Sequence, residues 1–174
     1  MNNPAINWLV ACVFSFGSQE GGLEGWATVD DRVMGGESKS KVVAIDTALH
    51  WEGELSLESN GGFVSVRSPW ERGQLNNARK VVMRARGSQG TYALRLATSQ
   101  VYYDPTHQAF FQVEEDSWTT FSWSLEEFET TVLGRATGRN FDASKAGEVG
   151  RIGIMKNDGN PGIFWLEVDF IRFE

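Results

Sequence analysis

The chain has 174 residues and a net charge of -7, with 41% hydrophobic and 12% aromatic residues. That length suits one domain over residues 1–174, large enough to bury roughly two-thirds of the surface its unfolded form exposes. The acidic balance speaks against nonspecific nucleic-acid binding and against adhesion to an anionic membrane, since both rely on a basic face.

The apolar opening Trp8-Leu9-Val10-Ala11-Cys12-Val13-Phe14 contains a box, Leu9 to Cys12, like the one that precedes a lipidated cysteine. No Lys or Arg lies among the eleven residues before Cys12. A first core strand is therefore the better reading, with Cys12 as a small buried hydrophobe. Cys12 is the single cysteine, which rules out an intrachain disulfide and fits a reducing compartment. No apolar run is long enough for a membrane-spanning helix, so no membrane insertion is expected.

The segment Trp26-Ala27-Thr28-Val29-Asp30-Asp31-Arg32-Val33-Met34-Gly35-Gly36-Glu37-Ser38 fits neither a strand nor a helix. An aromatic anchor, two acids, a base and a Gly-Gly pair describe a specified loop, in which the charges must be solvated or paired. Period-2 patterning then dominates. Ser38–Asp46, Gly62–Ser68, Lys80–Arg86, Tyr92–Leu96, Ala109–Val113 and Trp118–Trp123 read as strands. Ser124 to Phe128 reads as a single capped turn, with Glu127 completing a capping box. Asp158-Gly159 reads as a hairpin turn between Ile152–Met155 and Ile163–Phe170. In the last strand Phe164, Leu166, Val168 and Phe170 alternate with Trp165, Glu167, Asp169 and Ile171. Many short strands, 19 glycines and no long helices predict an all-β antiparallel sandwich or jelly roll.

Catalytic signatures are sparse. Gly17 to Gly21 lacks the spacing of a nucleophile elbow, and Gly134 to Gly138 lacks the ending of a phosphate loop. His50 and His107 are the only histidines and lie far apart, which suits surface or edge positions better than a zinc or iron site. Asp30/Asp31, Glu114/Glu115/Asp116 and Glu126/Glu127 read as solvated turns, because neighbouring strand residues face opposite ways and cannot form a glycosidase pair. Asn157 to Asn160 is oxygen-rich but lacks the spaced acids of a calcium loop. No metal and no cofactor are expected. Trp51, Trp70, Tyr102 and Tyr103 lie beside polar or turn residues and are the candidates for an exposed aromatic platform.

Trp26 with Val29 to Ser38, followed by Gly61-Gly62-Phe63-Val64-Ser65-Val66-Arg67, resembles the signature of the complex I intermediate-associated protein 30 family. Arg86-Gly87, Tyr92 to Arg95, Trp118 to Phe121, Ser124 to Phe128, Ile152 to Met155 and Gly162 to Val168 are similar to its remaining blocks, in order. The resemblance runs from about Phe14 to Ile171 and implies a galactose-binding-like β-sandwich. It also implies an assembly or chaperone-like role, because mitochondrial members are assembly factors for respiratory complex I without a known catalytic site. The chain lacks the Arg- and Ser-rich transit segment of a mitochondrial precursor, so a bacterial, cytoplasmic protein is expected.

The leading functional expectation is a noncatalytic module that binds a protein partner, such as subunits of a respiratory or another multisubunit complex. Asp31, Arg32, Gly35, Gly36 and Ser38, with Trp26 and Asp30, form its central loop, and Glu167 is the expected partner of Arg32. The plainer alternative makes Asp31, Arg32 and Glu167 a structural network that holds the loop to the sandwich. A second expectation is carbohydrate binding on exposed aromatics, and a third is hydrolysis, which needs a cleft with converging acids and a raised carboxylate pKa.

Overall fold

Alternation along the chain folds into two antiparallel sheets whose apolar faces meet. The computed structural model describes residues 12–16 and 22–174; the apolar stretch at Trp8 lies outside them. Thirteen strands occur among the described residues: β1 (Cys12–Ser15), β2 (Ala27–Thr28), β3 (Lys39–Ile45), β4 (Ala48–Leu55), β5 (Val64–Arg67), β6 (Lys80–Gly87), β7 (Gly90–Ala97), β8 (Thr106–Val113), β9 (Thr119–Ser124), β10 (Glu129–Val132), β11 (Arg135–Asn140), β12 (Arg151–Lys156) and β13 (Gly162–Phe173). One sheet runs β3-β4-β13-β6-β9, with β1 beside the end of β13; the other runs β11-β10-β8-β7-β12-β5-β2. This is an antiparallel β-sandwich, as the pattern predicted.

Inward positions of both sheets build one core. Trp51 meets Phe164 edge-on at 4.8 Å, and Tyr92 stacks on Phe111 at 5.7 Å. Phe111 reaches Phe121 of β9, at 4.9 Å between centroids. Aromatic pairs of this kind add to the burial of apolar area that stabilises the sandwich. Cys12 is half-buried and packs against this core. Ser124 caps its turn as expected: its hydroxyl accepts from the Glu126 N–H, and Glu127 reaches back to the Ser124 N–H.

The pattern falls short at several elements. β4 has inward Leu49, Trp51 and Leu55 with outward His50, Glu52 and Glu54, but Gly53 and the charges hide the alternation. β10 and β11 are polar. Their signal is Leu133-Gly134, both at positive φ (49° and 76°), the geometry of a two-residue hairpin turn. Asp158-Gly159 does not close a hairpin, because β12 lies in one sheet and β13 in the other. The buried Lys156–Asp158 pair, 2.6 Å apart, secures that crossover, and Asp158 also accepts from the Asn160 N–H. In β13 the pairing with β6 shifts between Val168 and Phe170. The bulge reverses the later alternation, so Ile171 rather than Phe170 enters the core.

Candidate functional site

Asp30 and Asp31 are buried, against the expectation of a solvated turn. The cause is backbone left unpaired where the chain leaves the sheet. Val29 still exchanges hydrogen bonds with Ser65, but beyond it the backbone turns into a short 3-10 helix, Asp31–Met34. The two carboxylates replace the missing ladder. Asp30 accepts from the Ser40 N–H at 2.7 Å and its hydroxyl at 2.6 Å. Asp31, with 0% exposure, accepts from the Ser38 N–H (2.9 Å) and hydroxyl (2.5 Å), and from the N–H groups of Gly62 (2.6 Å) and Phe63 (3.2 Å). Burial pushes the Asp31 carboxyl up, but these donors outweigh it and hold it below the usual carboxylate range.

The glycines follow from that carboxylate. A Cβ on Gly36 would sit 2.5 Å from Asp31 Cγ, and one on Gly61 would sit 2.8 Å from its Oδ2. Gly35 takes φ 91° to end the helix. Trp26 anchors the entry, edge-on to Phe16 at 5.3 Å and to Phe14 at 6.1 Å. Arg32, Val33 and Met34 are left projecting outward, the last two 71% and 67% exposed.

Glu167 does not meet Arg32. Arg86 and His50 flank it on the neighbouring strands, in register on the outer face of the first sheet. The Arg86 Nε–H donates to Glu167 Oε2 at 2.7 Å, and His50 Nδ1 lies 3.1 Å from Oε1. Burial raises the Glu167 carboxyl, but Arg86 and then His50 bring it below its ordinary value. His50 continues to Glu52 at 3.2 Å and stacks on Trp165, while Arg84 and Arg86 lie over Trp118 at 4.5 and 4.9 Å. Arg32 has no ion-pair partner among the described residues.

The proposed aromatic platform divides. Trp51 is a core residue with 0% exposure. Trp70 is half-buried, and the guanidinium groups of Arg72 and Arg151 each lie 5.6 Å from its ring. Tyr102 and Tyr103 are exposed and pack edge-on at 5.3 Å. His107 is buried rather than at an edge; it lies 3.0 Å from the Thr130 hydroxyl, and burial, then the charge of Lys145, lowers its pKa to about 4.

A cavity of about 200 Å³ opens on the outer face of the second sheet, lined by Arg67, Arg95, Arg151, Gly153, Thr106 and Tyr102 among others. No carboxylate is among its lining residues. Sequence reading passed over these arginines because they lie on β5, β7 and β12, far apart in the chain and each an ordinary outward residue of an alternating strand. Every carboxylate with a resolved shift, Asp31, Glu52, Asp142, Asp158 and Glu167, moves downward, the opposite of what a general acid needs. Among the described residues no three His, Cys, Asp or Glu side chains gather as a metal site, and no helix is long and apolar enough to cross a membrane.

Solved structures with this architecture include a family 11 carbohydrate-binding module from Clostridium thermocellum in complex with a β-1,3-1,4-mixed-linked tetrasaccharide. It is 14% identical, with a TM-score of 0.66 over 92% of this chain and 94% of that one. The K1 cleaved adhesin domain of Lys-gingipain from Porphyromonas gingivalis W83 is also similar, at 11% identity and a TM-score of 0.53 over 94% and 98% of the two chains. At such identities the likeness shows the fold alone. No curated protein sequence matches the chain. The model of the complex I intermediate-associated protein 30 family matches residues 14–168, which include the Asp31 loop and β13 as far as Val168, and the chain belongs to that family.

Proposed function

We infer that this protein is a noncatalytic binding module that engages a protein partner, in the assembly of a respiratory complex or another multisubunit complex. The observation that carries this reading is the Asp31 loop. Its base is locked by hydrogen bonds to two other segments, and its outer edge presents a guanidinium and two large apolar side chains to solvent. A rigid edge loses little entropy on docking, and Arg and Met are favoured at interface centres. The family match supports an assembly role, and the lone cysteine suits a cytoplasmic setting.

Capture from the native cell tests this, with identification of the subunits that co-purify. Respiratory-complex subunits recovered by the natural chain and lost with Arg32→Glu/Met34→Glu support the reading. Equal recovery by the variant removes the loop from it, and consistent absence of such subunits overturns the assembly role.

Carbohydrate binding is the second reading, favoured by one feature: Tyr102, 82% exposed, stands at the edge of the cavity on the second sheet. An aromatic face so placed can stack on a sugar ring. Glycan-array hits lost with Tyr102→Ala would move this reading ahead of the first. Hydrolysis has the least support, given the downward carboxylate shifts.

A further inference from the structure

Buried or half-buried cations ordinarily find anions, and this chain has 23 acidic residues against 16 basic ones from which to supply them. Arg84, Arg86 and Arg172 each pair with a carboxylate. Arg67, Arg95 and Arg151 form no ion pair among the described residues, although they share one cavity. Asp30, whose charge reaches Arg67, has both oxygens occupied by Ser40.

Register explains how the three converge. Gly153 of β12 pairs with Arg67 of β5 on one side and with Arg95 of β7 on the other. The two arginines therefore start roughly 10 Å apart, two strand spacings. Ile152 and Ile154 point into the core, so Gly153 faces outward between them with no side chain to fill the gap. Arg151, two residues along the same strand, shares that face. Arg67 Nε donates to the Ser65 hydroxyl at 3.0 Å, and Arg95 Nη2 donates to the Thr106 hydroxyl at 2.6 Å. Such bonds orient a guanidinium without neutralising it. The Nε atoms of Arg95 and Arg151 are buried and have no hydrogen-bond partner.

We propose that the cavity over Gly153 is a binding site for a small organic oxyanion, a phosphate ester or carboxylate with a body about the size of a monosaccharide. Several arginines lining one space suit bidentate capture of oxygen atoms. The cavity volume limits the body, and Tyr102, Gln100 and Ser99 on its lining supply a ring face and polar atoms. The charges also repel one another. Burial, then the charge of Arg67, lowers Arg95 to about 10, and burial, then Arg151, lowers Arg67. An oxyanion relieves this strain, so its binding stabilises the fold. The site is separate from the Asp31 loop's outer edge and does not rest on the protein-partner reading.

Titration calorimetry and thermal melting of the full chain at fixed ionic strength test it, with inorganic phosphate, glucose 6-phosphate, glucuronate and neutral glucose as probes. At least one anion should bind saturably and raise the melting temperature, with glucose about tenfold weaker or inert. Glucose 6-phosphate active with glucuronate inert identifies a phosphate site, and the reverse identifies a carboxylate site. Arg151→Gln and Arg67→Gln should each weaken binding by about tenfold, with unchanged circular dichroism. Should either variant fail to fold, Arg151→Lys keeps the charge, loses the planar fork and should still weaken binding severalfold. The proposal is overturned if no anion shifts the melting curve, if glucose binds as well as its phosphate, if the folded variants bind unchanged, or if polyglutamate binds while every small anion fails.

Discussion

The Asp31 loop and the Gly153 cavity both place charge away from bulk water, and they handle it in opposite ways. At Asp31 one carboxylate collects four donors from two segments, and the neighbouring glycines are trimmed to fit it. At Gly153 three guanidinium groups share a space with no carboxylate, and two of their Nε atoms lack any partner. A satisfied buried charge holds a fold together; an unsatisfied set costs stability and is retained for what it can bind. The loop that carries the family signature is thus mainly a structural device, its outer edge the docking surface we propose, whereas the arginines make the better candidate for a ligand site.

The largest expected effect is at Asp31. Asp31→Ala strands the N–H groups of Ser38, Gly62 and Phe63 and should cost on the order of 4 kcal/mol in denaturant unfolding; a loss below about 1 kcal/mol would break the contrast. Acid unfolding separates Asp31 from another buried titrating group, His107. The histidine's folded pKa, about 4, lies below its unfolded value, so its stabilisation is complete above about pH 6.5 and drains as pH falls toward 4. The loss reaches up to about 3 kcal/mol, and His107→Gln should flatten that limb. Asp31 is also depressed, so its contribution is present above its unfolded pKa and disappears only at lower pH, as pH falls through its folded value. Gly36→Ala, which drives a methyl into the Asp31 carboxylate, should cost about 2 kcal/mol.

Arg95→Gln should carry the opposite sign. Removing one of three mutually repelling charges should raise stability by about 1 kcal/mol in the absence of anion, seen as a rise of a few degrees in melting temperature. A fall of similar size would make that arginine structural and erase the difference between the two regions. The smallest effect belongs to Arg32→Glu, whose parent side chain is exposed and unpaired among the described residues. Its melting curve should stay within about 0.5 kcal/mol of the natural chain, while capture of a partner through the loop is lost.

Local patterns revealed most strands because period-2 alternation reports which face is buried without reference to what covers it. They missed β10 and β11, where both faces are polar, and the switch of face in β13, because a bulge leaves no mark in the residue types around Val168 and Phe170. Trp51 was misplaced for a related reason. Its flanking charges are on the opposite face of β4, and being next to a polar residue in a strand says nothing about exposure.

The sequence by itself determined the two-sheet class, the capped turn at Ser124 and a specified loop from Trp26 to Ser38, since each depends on residues within a few positions of one another. Tertiary structure alone decided the pairings. It gave Glu167 to Arg86 and His50 rather than Arg32, brought Gly62 and Phe63 to Asp31, and gathered Arg67, Arg95 and Arg151 around one glycine. Those contacts join residues dozens of positions apart, and strand order and register, which no single segment encodes, choose among the possible partners.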